Sequence, residues 1–536
     1  MKITVTNRYL HIPICEAAEN RRMNFIKDGQ VCYGLDIKPA SDNYDFVANI
    51  DLARFMGEEL ELVIEPAAEI KLIFADFPYP NGNYSDIRRP KSHFTVREGW
   101  TNDPNGLVEY ISPATGERSY HMFFQHNPCS YQWGNMHWGH ATSTDLIHWT
   151  QHEIALFPDE MGAMFSGSAV VDRENRSGFK NDSGEDPILL FYTAAGNPFT
   201  QCLAYSTDGG KSFVKYEHNP IIPHIADSNR DPKVIYCEEL GKYLLALYLT
   251  EDVYAIFASD DFKHWDEIQR LSLPFDNECP DLYPLTVAET GEQRWILSGA
   301  HHRYFVGEFK GGRFVPTVES RSFVEQGCRC DRPGEDIFTA NSKSYLYGSI
   351  SYASQSYSDI SDGRRINVAW SQINPQNRLF CCQMSLPMEH TLHLSGGNYY
   401  LCANPVIEVE SLCEAADSIT VTQTAEYFLG ADAYDITLNA ADESFILSFA
   451  GLTLEIDAPH NMIRANGQLL SPVKLIPDTG IHLRLLLDMH SLELFSGKGE
   501  VCAALPIYMD GDSKLHVTNH GDHPIEIVMK KLKNIR

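Results

Sequence analysis

Three acidic residues share an unusual setting in this chain: Asp103 in "NDPNG", Asp231 in "NRDPKV" and Glu278 in "NECPDLY". Asp103 and Asp231 each directly precede a proline, which biases their backbone towards an extended conformation, and Glu278 lies two residues before Pro280. An extended carboxylate at the start of a strand could point into a central channel, and several such strands could bring their carboxylates together. Converging carboxylates suit glycoside cleavage, with one ionised as nucleophile and one protonated as general acid. A separation of about 5 Å gives retention through a covalent intermediate. An ionised Asp103 would also raise the pKa of a nearby, desolvated Glu278. Trp100, Trp133 and Phe165 offer apolar sugar faces something to pack on. The competing reading is ordinary: "GWTNDPNG" has the composition of a turn, and Asp231 and Glu278 could be turn or salt-bridge acids.

The elements that would position these residues are strands. Short apolar or alternating runs such as "ILLFYTAA", "YLLALYLT" and "YAIFAS" are bounded by Gly, Pro, Asn and Asp, and long helical periodicity is lacking. The chain reads as all-β. "STDLIHW" from Ser143, "STDGGKSF" from Ser206 and "SDDFKHW" from Ser259 each follow an apolar strand and end in Trp or Phe. A period near 50 residues with several strands per unit predicts a β-propeller. In each copy the Ser and Asp can hold a hairpin turn while the aromatic packs between sheets, so the repeats are structural. "GGKS" inside the second copy lacks the earlier glycine of a phosphate-binding loop, since Tyr205 stands there, and no GxSxG elbow is present.

Boundaries follow from the pattern. Residues 1–88 form an additional small N-terminal β domain ending in the turn-rich "PYPNGNYSD". Residues 89–395 form the propeller, and 396–417 form a linker in which "NPVIEVESLCEAAD" could be a short helix. Residues 418–536 alternate as a β-sandwich does.

With 43 Lys+Arg against 72 Asp+Glu, the net charge of −29 makes nucleic acid and anionic membrane surfaces poor partners and favours a small neutral substrate. No run approaches a membrane helix. The opening residues lack a continuous apolar core and a small-residue cleavage site, and thirteen scattered cysteines suit buried thiols in a reducing compartment. The expectation is a cytoplasmic protein. Cys328 with Cys330, the adjacent Cys381 and Cys382, and His137 with His140 lack the spacing of a zinc site, so no metal is expected.

Taken together, "WTNDPNG" (100–106), "FFQHNP" (123–128), "QWGNMHWGHATSTDLIHW" (132–149), "FSGS" (165–168), "RDP" (230–232), "EC" (278–279), "YASQ" (352–355) and "GRRI" (363–366) resemble, in order, the motifs of glycoside hydrolase family 32, the invertases, levanases and exo-inulinases. The match runs from about Arg89 to Pro387, and "LRLLLDMHSLELFSGKGE" looks like the family's C-terminal sandwich. The resemblance implies a five-bladed propeller plus sandwich and cofactor-free, retaining hydrolysis of β-fructofuranosides. It makes Asp103 the nucleophile and Glu278 the acid/base. Asp231 would stabilise the transition state with Arg230 beside it, and Asn102, Gln125, Trp133, Phe165 and Ser166 would line the terminal-fructose subsite. Thr101 stands where the family usually has Met, and Ile350 where it commonly has an acid. The leading expectation is an exo-acting enzyme on sucrose and short fructo-oligosaccharides or fructans. A fructosyltransferase, a sucrose-6-phosphate hydrolase and a catalytically inactive sugar-binding protein are the alternatives. Homo-oligomerisation, the β-2,1 or β-2,6 preference and the role of residues 1–88 stay open.

Overall fold

The computed structural model describes residues 1–67, 70–81, 84, 86, 88–273, 276–317, 343–374 and 379–536. Cys328 and Cys330 lie outside them. The described chain is all-β; its helical residues are two short 3-10 turns, Ala53–Phe55 and Ile407–Leu412, and no described helix is long and apolar enough to cross a membrane.

Five sheets, each built on an antiparallel meander, follow one another along the chain, and Phe380–Cys381 adds to the first in parallel. Their leading strands are Gly99–Ile111, Ala163–Val171, Arg230–Cys237, Asp281–Thr286 and Ser351–Ser356, and each sheet then meanders outward through three further strands. The leading strands touch in a closed order, first to second and so on to the fifth, which returns to the first. Apolar residues fill the space between successive sheets: Phe123, Trp138 and Leu190 join the cluster between the first and second, and Phe191, Leu245 and Phe262 that between the second and third. A closed ring of this kind leaves the starts of all five leading strands pointing at a common centre.

The repeated hairpins behave as their sequence predicts. Ser143, Ser206 and Ser259 donate to Asp145, Asp208 and Asp261 at 2.9, 2.7 and 3.3 Å, and each aspartate accepts backbone N–H groups from the turn that follows. Trp149 and Trp265 donate to the carbonyls of Leu146 and Phe262, both at 2.9 Å. "GGKS" is simply this turn. Local Asx chemistry thus closes the same hairpin three times.

Residues at the N-terminus form a four-stranded sheet (Lys2–Thr4, Glu59–Glu65, Arg21–Lys27, Gln30–Ile37) and a three-stranded one (Phe46–Asp51, Tyr9–Ile14, Ile73–Ala75) around a shared core of Leu10, Ile12, Phe25 and Leu35. Cys129, from beyond this unit, packs into the same core. After the ring, a seven-stranded and a six-stranded sheet share a core that includes Leu438, Leu447, Leu485 and Val517.

Two expectations need correcting. Most of 396–417 is not linker: Asn398–Pro405 is the outer strand of the fifth sheet and Cys413–Val421 already belongs to the seven-stranded sheet, so the expected helix shrinks to the 3-10 turn between them. Tyr399, Leu401, Cys402 and Ala403 are buried where this strand pairs with Met388–Ser395. The boundary is also crossed in space, because Leu346–Gly348 pairs in parallel with Val501–Pro506.

A buried ion pair fastens the ring to the C-terminal sheets. Asp488 accepts from the backbone N–H groups of Lys91 and Ser92, both at 2.8 Å, and from His93 Nδ1 at 2.8 Å; His93 and Asp488 are fully buried. Burial works against the imidazolium, but Asp488 and Glu493 overcome it and hold the His93 pKa up to about 9.

Candidate active site

The stretch 99–106 is not a turn. It is the start of one strand, Gly99–Ile111, interrupted by bulges between Thr101 and Pro104 and between Asn105 and Val108. A bulge re-aims a side chain without ending the strand, and here Asp103 sits inside the first of them. Ser166 Oγ donates to Asp103 Oδ2 at 2.6 Å, and Trp100 Nε1 holds Asn102 Oδ1 at 2.8 Å. Burial raises the Asp103 pKa, while hydrogen bonds from Ser166 and Asn102 act the other way.

Asp231 departs from the expectation of an extended backbone. Its φ is +66°, within a bulge between Arg230 and Lys233, and its N–H donates to Thr193 Oγ1 at 3.0 Å. The bulge and the Thr193 bond override the local bias that Pro232 imposes. Glu278 and Cys279 also have positive φ, +55° and +37°. Strained backbone gathered at one place is a mark of a functional site.

All five sheets supply this centre: Asp103 from the first leading strand, Ser166 from the second, Asp231 from the third, Glu278 from the turn just before the fourth and Tyr352 from the fifth. Cys279 ties them together. Its N–H donates to Asp231 Oδ2 at 3.0 Å, and its thiol lies 3.5 Å from that oxygen and 3.9 Å from Asp103 Oδ2. Burial, then the charges of Asp231 and Asp103, keep this thiol protonated, so it serves as a weak donor between two carboxylates and not as a nucleophile. Arg230 pairs with Glu278 and lies 3.7 Å from Asp231, its guanidinium 4.7 Å above the Tyr248 ring. Burial works against the Arg230 charge, but Asp231 and Glu278 outweigh it. Tyr352 donates to Glu278 Oε2 at 2.6 Å.

The remaining expected residues fall into two groups. Asn102, Gln125 and Ser166 are buried; the Asn105 amide, turned with its oxygen towards Gln125, accepts from Gln125 Nε2 at 2.9 Å. Trp133 is 60% exposed and meets Phe165 edge-on, with ring centroids 5.9 Å apart. Of the departures, Thr101 is buried with its hydroxyl on the Gln125 carbonyl at 3.1 Å, and Ile350 packs in the core. His137 and His140 are packed: His140 stacks on Phe123 at 4.4 Å. Sequence reasoning gave no role to Tyr352, Cys279 or Thr193, although "YASQ" and "EC" contained the first two.

Gly167, next to Ser166, has no room for a side chain, since a Cβ there would stand 1.8 Å from the Phe191 carbonyl oxygen. The neighbour is backbone and cannot give way. Gly167→Ala is therefore expected to destabilise the protein by about 3 kcal/mol, read as a shifted midpoint in denaturant unfolding; an unchanged midpoint would contradict the packing described.

Asp231 carries a second prediction. Burial raises its pKa to about 7, with Arg230 opposing and Glu278 and Asp103 adding to the rise. The unfolded chain releases this proton near pH 4 and the folded chain near pH 7, so the folded state loses stability as pH climbs through that interval. Asp231→Asn is expected to be more stable than the parent at pH 8 by about 3 kcal/mol and no more stable at pH 4. Thermal melts at the two pH values check this, and a variant equally destabilised at both would refute it.

The chain matches the model of the glycosyl hydrolases family 32 N-terminal domain over residues 93–405. It is 30% identical over 512 residues to a levanase of Bacillus subtilis (strain 168), a match covering 84% of this chain and 71% of that one. To an invertase of Schizosaccharomyces pombe it is 40% identical over 272 residues, 46% of each chain. Its fold is similar to that of an exo-inulinase from Aspergillus awamori, with a TM-score of 0.72 at 24% identity, covering 85% of this chain and all of that one.

Proposed function

Because the chain belongs to glycosyl hydrolase family 32 and is a glycoside hydrolase of the β-fructofuranosidase type, we propose that it releases terminal fructose from sucrose and short fructo-oligosaccharides or fructans, in an exo-acting reaction that retains configuration. The ring of five sheets then corresponds to a five-bladed β-propeller and the two C-terminal sheets to a β-sandwich. The observation that carries the proposal is the convergence of three carboxylates, Asp103 and Asp231 on the half-buried Cys279 thiol and Asp231 and Glu278 on the Arg230 guanidinium.

In this reading Asp103 attacks the anomeric carbon of fructose. Its hydrogen bonds from Ser166 and Asn102 favour the ionised form that attack requires. Glu278 protonates the departing oxygen, and after the aglycone leaves it takes a proton from the water that hydrolyses the fructosyl ester. Arg230 and Tyr352 orient its two oxygens. Asp231 accepts from fructose hydroxyls, bonds that strengthen as positive charge grows on the ring. No step calls for a metal or cofactor. A cytoplasmic place of action is part of the same proposal, supported by the described cysteines, all of which carry free thiols.

The test is the time-resolved product profile on sucrose, 1-kestose, inulin and levan. Fructose alone, fastest from the short substrates, is the expected result. Longer oligosaccharides growing in would mean transfer, and a ladder of fragments from polymer would mean endo cleavage. Turnover confined to sucrose 6-phosphate would move the assignment to that substrate, and no product at all would leave a sugar-binding protein.

A further inference from the structure

We propose that the N-terminal β unit is a brace for the loop that carries Trp133, and that Glu16 and Asp36 are positioning residues for the sugar subsite. The proposal rests on the reading above, in which Trp133 lines that subsite. The loop between Asn127 and His137 belongs to no strand, and its tryptophan is 60% exposed, with an edge-on contact to Phe165 as its aromatic support. Bonds within it, from Asn127 Nδ2 to the Gln132 carbonyl at 2.9 Å and from the Gln132 N–H to Ser130 Oγ at 3.0 Å, fold the loop on itself but do not anchor it to another part of the fold, and a sugar would have to order an unanchored loop on binding.

The loop's polar groups are instead gripped from more than ninety residues away. The Glu16 carboxylate, nearly fully buried, accepts from the Ser130 hydroxyl and, at 2.9 Å, from the Tyr131 N–H; its other oxygen pairs with Lys38 Nζ at 2.9 Å. Lys38 reaches on to Gln132 Oε1 at 3.3 Å, the residue before Trp133. On the far side of the tryptophan, Asn135 and Asp36 exchange two bonds: the Asp36 N–H donates to Asn135 Oδ1 at 2.8 Å and Asn135 Nδ2 donates to the Asp36 carbonyl at 2.7 Å. Asn135 has φ +42°, so the loop turns sharply where it is held. Below these clamps, Cys129 is buried in the N-terminal core, and the Tyr33 hydroxyl meets His137 Nε2 at 2.9 Å. Trp133 is thus flanked on both sides by bonds to residues 16, 36 and 38. A brace of this kind acts on binding more than on chemistry, because it removes the ordering cost from the encounter with the sugar.

The experiment is a double-mutant cycle on the full chain with sucrose, using Glu16→Ala, Trp133→Ala and the pair. Glu16→Ala is expected to raise KM about tenfold with kcat within about twofold, Trp133→Ala to raise KM at least as much, and the pair to be no worse than Trp133→Ala alone. The Trp133 contribution to fluorescence should lose anisotropy in Glu16→Ala. Should Glu16→Ala fail to fold, Lys38→Met and Asn135→Ala remove single clamps and are read in the same cycle. If Trp133→Ala raises KM while every clamp variant leaves it unchanged, or if the effects multiply, the brace is overturned. If Trp133→Ala itself leaves KM unchanged, the subsite reading falls, and the brace falls with it.

Discussion

Asp103→Asn is expected to lower kcat by about 10⁴-fold or more, while leaving the fold and sucrose binding in place. Asparagine has nearly the same shape, and its amide oxygen can still accept from Ser166, whose hydroxyl holds Asp103 at 2.6 Å. What it lacks is an anionic oxygen able to form a bond to the anomeric carbon. Binding by calorimetric titration together with steady-state rates separates the two properties. Turnover within tenfold of the parent would remove Asp103 from the role of nucleophile. Loss of binding together with turnover would instead point to a collapsed site, in which case the unfolding midpoint should fall as well.

Glu278→Gln is expected to cost about 10²–10⁴-fold in kcat on sucrose, the range for loss of a positioned general acid. Glutamine keeps an oxygen that can accept from Arg230 or Tyr352, which hold the carboxylate in the parent. It cannot give a proton to the departing oxygen. The diagnostic contrast comes from fructosyl fluoride, whose leaving group needs no proton. The variant should form the fructosyl-enzyme from that substrate and then stall, because water is no longer activated. Mass spectrometry should show a chain heavier by one fructosyl unit, and azide, which needs no general base, should release it. Equal losses on both substrates, with no adduct, would show that Glu278 does not act on the leaving group.

Much of this site was legible because its signals are local. A carboxylate beside a proline, an Asx turn closing a hairpin and an aromatic four or five residues on are all short-range patterns; the repeats at Ser143, Ser206 and Ser259 fall where such patterns place them, and Asp103 and Asp231 do so in their position at the strand starts. What failed was local inference applied where tertiary bonds decide. Asp231 adopts a positive φ against the bias of Pro232 because Thr193, from the second sheet, holds its N–H. The turn-like "TNDPNG" runs on as strand because it has partners on the neighbouring strand Arg118–Asn127. Nothing near Tyr352 in sequence marks it as the partner of Glu278, 74 positions earlier, and Glu16 is 114 residues from Ser130. Such pairings exist only in the tertiary fold.

The buried contact between His93 and Asp488 bears on how this architecture can be recombined. The C-terminal sheets look like a cassette, separable at the short turn Ile407–Leu412, yet their Asp488 is the counter-ion for an imidazole 395 positions earlier, and it also caps the backbone at Lys91 and Ser92. A chimaera that takes its central ring from one parent and its last sheets from another inherits a compatible seam only if both halves of that contact descend together. An otherwise harmless crossover that lost Asp488 would leave a buried ring, and the backbone N–H groups of Lys91 and Ser92, without their shared acceptor. The two parts therefore recombine productively as a matched set, however independent they look on the linear map.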